Sequence, residues 1–412
     1  MRPLFRTAGL LLACIGAWPS LAGALTLDQA LRLAERQAPS LAAQAANLSA
    51  ARSAAIPAGK LPDPQLRLGI QNLPIEGDAR YRLEEDGMTM QMIGFMQAVP
   101  NRAKREARID AAEAGIAVAE RQRDVERLRV RRETAQAWTA LLAVERKLAL
   151  FDGLYRENRL LAEAVRARLA GGQGRVAEAV LPKQEAALLA EREDTLIQTR
   201  DAARAALRRW IGDAADQRPT GDWPRWPTEP ARYRHHLSAH PELVLFDPRT
   251  ELAEAQVREA LADKRPDWAW GVDYQRRGRE YGDMLSLSVS MDLPLFSATR
   301  QDPKIAARRA RVEQLDAEHE AARRELRETL ETQLAEHRRA ARAVDRLEQV
   351  LLPLAEEKVA LAMDDYRAGR GDLTAVIDAR RERVETRLRA IDLAAERAAL
   401  GARLYYAFGE TP

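Results

Sequence analysis

The segment LSLSVSMDL, residues 285–293, alternates apolar and polar side chains at every position. Neighbouring side chains of a β-strand point to opposite faces of the sheet, so this period of two predicts a strand with one apolar face. The serines of the other face, Ser286, Ser288 and Ser290, are expected to meet water. Runs of about ten alternating residues suit a membrane barrel, and an amphipathic hairpin on a globular core is the alternative.

Three more segments show the same alternation. Trp268, Trp270, Val272 and Tyr274 share one face upstream, and residues 276–283 supply the turn that follows them. In the first half of the chain, residues 66–70 and 93–99 alternate likewise on either side of a loop. The sequence therefore predicts two hairpins with four strands.

The chain contains two copies of one unit. The pattern at residues 64–69 recurs at residues 266–271, an offset of 202, and the glycine turn at residues 172–174 recurs at residues 369–371, an offset of 197. Each copy is predicted to run helix, strand, strand, long helix, helix. The predicted organisation is a first repeat at residues 25–212, a proline-rich linker at residues 213–234 and a second repeat at residues 235–412.

Long helices occupy most of each repeat. A heptad spacing of 4 and 3 runs from Leu326 to Ala368 and is typical of a coiled-coil seam. Residues 101–168 are predicted to form a comparable uninterrupted helix, roughly 100 Å long at about 1.5 Å per residue. Pro353 predicts a kink or restart, because proline lacks the N–H that a helix interior needs. The predicted fold class is mainly α with a small β part.

The N-terminus has the pattern of a secretory signal peptide, residues 1–24. Two arginines precede the apolar run Gly9–Trp18, and small residues at 22–24 predict cleavage after Ala24. The apolar run, of about 10 residues, is shorter than the roughly 20 that a membrane helix needs. Cys14 follows a weak lipobox, so a lipid anchor is the alternative.

Composition excludes several classes of function. Cleavage after Ala24 removes the single cysteine, so the mature chain has no disulfide or thiol chemistry. It also removes Arg2 and Arg6, which lowers the net charge from +3 to +1. Acidic and basic residues interleave along the helices, so we expect no nucleic-acid partner. No catalytic constellation or phosphate-binding glycine loop is recognisable, so we expect neither an enzyme nor a cofactor.

Four strands cannot close a barrel, because about eight are needed to enclose even an interior filled with side chains. An open sheet edge cannot lie in lipid, where backbone polar groups must be paired within the protein. Chains with these strands must therefore assemble. Three copies would supply twelve strands around a wet lumen, so a homotrimer is expected.

The order of elements, the duplication and several segments resemble the TolC-like outer-membrane efflux factors. In the second repeat these segments are Tyr366–Gly369 and Ala375–Ala379. The stretches at residues 25–31 and 92–100 are most similar to the branch that serves heavy-metal cation pumps. The resemblance implies a passive trimeric duct in outer-membrane lipid of a Gram-negative bacterium, with a helical tunnel in the periplasm. It also implies a periplasmic adaptor (membrane fusion) protein and an inner-membrane, proton-driven pump of the RND type as partners.

The resemblance further implies that the hairpin tips form a periplasmic aperture. Three copies of Asp378 near the axis would concentrate cations there. A helix-dipole role for Asp378 and a capping role for Asp372 are the alternatives. The chain departs from the family at Ala375, which replaces one aperture carboxylate. The expected aperture and tip residues are Gly172, Gly174, Glu178, Gly369, Gly371, Asp372 and Asp378.

Two groups of residues are candidates for metal contact. Methionines at even spacing offer thioethers that suit Cu(I), and flexible apolar filling is the alternative. Histidines near the repeat junction could bind a divalent ion, although their spacing matches no closed site and a solvated loop explains them equally well. The candidates are Met88, Met90, Met92 and Met96, with His235, His236 and His240.

Other functions share parts of this pattern. A drug-efflux or type I protein-secretion duct would have the same body. A periplasmic adaptor would have one helical hairpin flanked by lipoyl-like and barrel segments, and a soluble coiled-coil scaffold would lack the alternating strands. Two hairpins with four strands favour the duct, and the resemblance favours heavy-metal cations as its cargo.

Overall fold

The computed structural model describes residues 24–409. Apart from Ala24, the predicted signal peptide lies outside the described residues, as does Cys14 with its alternative lipid anchor. The strands are β1 Gln65–Gln71, β2 Met90–Val99, β3 Trp268–Arg276 and β4 Met284–Met291. They form one antiparallel sheet in the order β1-β2-β3-β4, so each half of the chain supplies one hairpin.

The two predicted hairpins are confirmed, and they meet between β2 and β3, where Val99 lies opposite Trp268. The register aligns the apolar residues of all four strands on one face. Ile93, for example, lies between Leu68 of β1 and Tyr274 of β3. The edge strands β1 and β4 each pair with one neighbour in the described chain, so each leaves one side of its backbone available for pairing.

Helices make up most of the described chain. In the first half they are α1 Leu27–Gln37, α2 Pro39–Ala55, α3 Arg102–Leu148, α4 Phe151–Ala170 and α5 Leu181–Ile211. In the second half they are α6 Pro230–His235, α7 Pro241–Val244, α8 Phe246–Ala262, α9 Gln301–Arg346, α10 Leu352–Arg367 and α11 Leu373–Leu404. Between Ala24 and Gly409, no helix has the length and apolar character needed to cross a membrane.

Both long helices break at corresponding places. The prediction of an uninterrupted helix at residues 101–168 is wrong, because α3 and α4 are separate helices joined at Ala149 and Leu150. The Leu150 N–H bonds three residues back instead of four, at 3.1 Å, which ends the α-helical ladder. In the second half, the π-helical turn Leu347–Leu351 separates α9 from α10. Pro353 lies in the first turn of α10, which confirms the predicted restart.

The largest buried cluster ties the N-terminal end of the described chain to the linker. Leu25 is 1% exposed, and its N–H donates to the Arg218 carbonyl at 3.0 Å. The Trp138 indole of α3 donates to the Leu25 carbonyl at 3.0 Å. These bonds satisfy buried polar groups beside the packed apolar side chains of α1, α3 and α5. The core thus lies along the helices and leaves both faces of the sheet uncovered.

Candidate channel surfaces and hairpin tips

One face of the sheet is a continuous apolar surface that a single chain leaves exposed. Leu68 of β1 is 70% exposed and Leu287 of β4 is 77% exposed. Burying such a side chain is worth about 1.5 to 3 kcal/mol, so an apolar face of this width marks a surface that contacts lipid or protein. Its exposed members are Leu66, Leu68, Ile70, Ile93, Phe95, Trp268, Trp270, Tyr274, Leu285, Leu287, Val289 and Leu293.

The opposite face is mainly polar and carries the three serines predicted to meet water. Ser286 donates to the side-chain oxygen of Gln275 at 3.3 Å. Ser288 lies above Gly271, where an added Cβ would come within 2.8 Å of the serine Oγ. Ser290 pairs with Ala269, on the same face. We call this surface the serine face.

Three of the four candidate methionines also lie on the serine face. Met90, Met92 and Met96 alternate with Ile93 and the other apolar residues of β2, whereas Met88 precedes the strand and is 61% exposed. The Met96 thioether contacts the guanidinium of Arg67. A fixed positive charge beside this sulfur opposes the binding of a metal cation, so adaptable packing explains Met96 better.

Each half of the chain has a helical hairpin, α4 with α5 and α10 with α11, whose turn we call its tip. Glycines in the left-handed backbone conformation form both turns. The φ angles are +72° at Gly172, +128° at Gly174 and +70° at Gly369. Residues with a Cβ rarely adopt these conformations, so glycine is required for the tight reversal of the chain. Gly371 is restricted by space, because a Cβ there would lie 3.2 Å from the Cβ of Asp365. The four predicted tip glycines therefore have structural roles that the turns themselves explain.

A cross-repeat contact lies just inside the tips. The Tyr366 hydroxyl of α10 donates to Glu178 at 3.2 Å, although these residues belong to different repeats. The Arg168 guanidinium of α4 stacks 4.1 Å from the centre of the Tyr366 ring and donates to the Tyr366 carbonyl at 2.8 Å. Burial, with the nearby charge of Glu178, raises the pKa of Tyr366. The two helical hairpins are thus tied together at their tips by Arg168, Tyr366 and Glu178.

The two predicted tip aspartates have different surroundings. Asp372 precedes α11 and accepts from the Ala375 N–H at 2.9 Å, as a helix cap. Asp378 is 66% exposed in the second turn of α11, and its nearest cationic partner, Arg381, is 4.0 Å away. The Asp378 carboxylate is therefore available to solutes, whereas the Asp372 carboxylate is engaged by the backbone.

A second cross-repeat tie lies further along the same helices. Glu157 of α4 pairs with Arg380 of α11 at 3.2 Å and also with Arg383. Arg381 pairs with Glu185 of α5 at 2.7 Å. Burial lowers the pKa of Arg380, which shows how far this guanidinium is removed from water. Removing Glu157 would leave two half-buried positive charges without their shared partner.

The three candidate histidines do not converge on one point. His240 is buried, its Nδ1 accepts from the Glu242 N–H at 3.2 Å, and its ring lies 5.3 Å from that of Phe408. Burial, with the charge of Arg132, lowers the pKa of His240 to about 4. The rings of His235 and His236 instead lie 5.8 Å apart and are tilted by 56° to each other. Among residues 24–409, no group of three or more His, Cys, Asp or Glu side chains could hold a metal ion.

No direct signal in the sequence predicts the contacts that join the two halves of the chain. Tyr366 belongs to a family-like segment, and Arg168 and Glu157 are two of many charged residues on long helices. Their partners are about 200 positions away in the chain, and no local pattern connects them. The nearest clue was Tyr366 itself, an aromatic residue in a helix otherwise rich in alanine and charge.

A family model described as "Outer membrane efflux protein" matches residues 233–410. A cobalt-zinc-cadmium resistance protein, CzcC of Cupriavidus metallidurans, is 24% identical over 381 residues, which cover 89% of this chain and 86% of that protein.

Two solved structures show the same fold. The outer membrane protein VceC of Vibrio cholerae matches with a TM-score of 0.76 at 20% identity, covering 93% of this chain and 96% of its own. CusC, whose structures are reported to show transmembrane channel formation, matches with a TM-score of 0.76 at 15% identity. The match covers 93% of this chain and 92% of the CusC chain. Together with the family match, the apolar sheet face and the duplicated helical hairpins, this likeness leads to one conclusion. Residues 233–410 match the outer membrane efflux protein family, the fold of the whole described chain is that of outer membrane channel proteins, and this similarity indicates the outer membrane of a Gram-negative bacterium as the location.

Proposed function

We propose that three copies of this chain assemble into a passive export duct, with a twelve-stranded barrel in the outer membrane and a helical tunnel in the periplasm. The observation that carries the proposal is the open four-stranded sheet, which exposes one apolar face and leads into the long helices α3, directly after β2, and α9, through residues 292–300 after β4. These helices contain 47 and 46 residues, so each extends roughly 70 Å at about 1.5 Å per residue.

Closure by three copies would remove the free strand edges and would cover the exposed apolar face that a single chain leaves. The free edges of β1 and β4 would pair between copies, so no backbone ladder would face lipid. The apolar face would meet the lipid and the serine face would line the lumen. Within each copy, the proposed units are the first repeat at residues 25–212, the linker at residues 213–234 and the second repeat at residues 235–412.

Heavy-metal cations are the proposed cargo. The similarity to CzcC over 89% of this chain supports this choice, since that protein is named for cobalt, zinc and cadmium resistance. The exposed Asp378 supports it independently, because three such carboxylates at the tips would raise the local concentration of cations. The proposed aperture is lined by Asp378 and by Glu178, with the glycine turns as its rim.

The proposed partners are a periplasmic adaptor and an inner-membrane RND-type pump driven by protons. A passive duct needs an energy source elsewhere, and the chain lies in the outer membrane. The paired hairpin tips, tied by Arg168, Tyr366 and Glu178, form the end of the molecule that would face this machinery.

Deletion of the gene, followed by growth on graded Co²⁺, Zn²⁺ and Cd²⁺, tests the cargo. We expect lower tolerance of at least one of these ions, restored by the intact gene but not by a gene lacking β3 and β4. Unchanged metal tolerance together with increased sensitivity to organic drugs would contradict the metal assignment and favour a drug-efflux duct.

A further inference from the structure

The two helical hairpins close in the same way. Gly172 and Gly369, in the two turns, have φ angles of +72° and +70°. The N–H that follows each of these glycines donates to the carbonyl five residues before it, at 2.9 Å in both turns. The two glycines are 197 residues apart, so adding 197 to a residue number in the first hairpin gives its structural counterpart in the second.

The second hairpin packs on the first through one face of α11. Leu373 and Ile377 of that face are buried in one cluster with Leu161 and Val165 of α4. Further from the tips, Val384 of the same face borders the wall formed by α4 and α5. The groove along α4 and α5 is therefore filled by α11 of the same chain.

The corresponding groove of the second hairpin is open. It runs along α10 beside the start of α11 and has a volume of about 440 Å³. Its wall contains Lys358 and Ala362, which are the counterparts of Leu161 and Val165. Leu354, in the same wall, is 53% exposed. A groove that is filled in one hairpin is thus left empty in the other.

The first hairpin carries the face that corresponds to the filling face of α11. Val176 and Val180 are the counterparts of Leu373 and Ile377, and they are 83% and 59% exposed. Both belong to the short 3₁₀-helix Val176–Val180, which leads into α5. Exposed apolar side chains grouped beside an empty groove mark a contact surface.

We propose that this face of one copy, with the α5 residues that follow it, lies in the open groove between α10 and α11 of the next copy. The inference rests on the proposed trimer and specifies how its subunits meet near the hairpin tips. A second copy is the occupant because each chain leaves over one empty groove and one exposed face. Such a head-to-tail contact closes into a ring, so three copies would use every groove and every face.

The contact between copies would be apolar where the contact within a chain is polar. Within the chain, Glu157 pairs with Arg383, and the Tyr366 hydroxyl donates to Glu178. The counterparts of these four residues are all apolar: Leu354, Ala186, Leu169 and Ala375. Packing would therefore hold neighbouring copies together here, and high salt, which screens exposed charges, should leave the contact intact.

Cross-linking between copies tests the contact. In a Cys14→Ser background, a short bismaleimide should join the cysteines of the Leu354→Cys/Ala186→Cys variant and give covalent dimers and trimers on a denaturing gel. The matched control is Leu354→Cys/Leu188→Cys, because Leu188 borders α11 of its own chain. Residues two apart on a helix do not share a face, so this control should give at least about tenfold less product. Equal yields from the two pairs would overturn the proposed contact.

The reaction is run on the purified protein, so that no partner protein can supply the contact. The yield of covalent trimer should be the same in low and high salt, and a yield that falls steeply with salt would contradict an apolar contact. If the trimer forms and neither pair cross-links, the groove does not hold a second copy and the inference is wrong. If the unmodified protein forms no trimer, the proposed function is wrong instead.

Discussion

At the residue scale, Leu287 and Ser288 are adjacent in β4 and lie on opposite faces of the sheet. Arginine at Leu287 should cost about 2 to 4 kcal/mol if that position lies near the middle of the bilayer, because the charge would enter lipid. Arginine at Ser288 should be tolerated, since the serine face would meet water. The measurement is the amount of trimer in purified outer membranes. Equal yields for the two variants would contradict the assignment of the apolar face to lipid.

His240 gives the protein a predicted pH dependence. Its pKa is about 4 in the folded chain against 6.5 for the free side chain, so the unfolded chain binds the proton more readily. The free energy of unfolding should therefore fall as the pH falls from about 6.5 to about 4, by up to about 3 kcal/mol per chain. His240→Asn keeps a capping side chain and removes the titration. Thermal melts that show the same acid sensitivity in this variant would exclude His240 as the cause.

At the element scale, two aspartates at the start of α11 are predicted to have different roles, Asp372 as a helix cap and Asp378 in the aperture. Asp372→Ala should destabilise the tip by about 1 kcal/mol, because the Ala375 N–H loses its acceptor. Asp378→Asn should leave thermal stability nearly unchanged while reducing cation selectivity, and block by multivalent cations, in planar bilayers. If Asp378→Asn lowers the melting temperature and leaves selectivity intact, Asp378 serves the helix dipole and not the aperture.

At the scale of the whole molecule, the sheet and the tips predict one cooperative assembly. The unboiled protein should migrate on a denaturing gel as a trimer and the boiled protein as a single chain, and both should derive from the outer-membrane fraction. A heat-modifiable band would indicate the proposed closed barrel, because its backbone ladder would have no free edge at which unfolding can begin. A periplasmic monomer with no such band would instead support an adaptor or a scaffold.

Sequence periodicity predicted the strands well and the helix boundaries less well. The alternation at residues 285–293 needs only local chemistry, and the strand forms with Leu287 and Ser288 on opposite faces. The helix predicted at residues 101–168 breaks at Ala149 and Leu150, where neither proline nor glycine occurs. No local signal in the sequence marks this break, and a single window of sequence does not record the packing among helices.

The sequence by itself determined the two faces of each strand, the glycine turns and the restart at Pro353, and it predicts the duplication. Each of these follows from side-chain period, from backbone restrictions or from one stretch compared with another. Only the tertiary structure decided that His240 is buried, that Arg168 and Tyr366 meet across the repeats, and that Glu157 is shared by two arginines. Those contacts join residues far apart in the chain. The energy of such a contact depends on how far its groups are buried and on which groups lie beside them. Both are set only when the helices have packed.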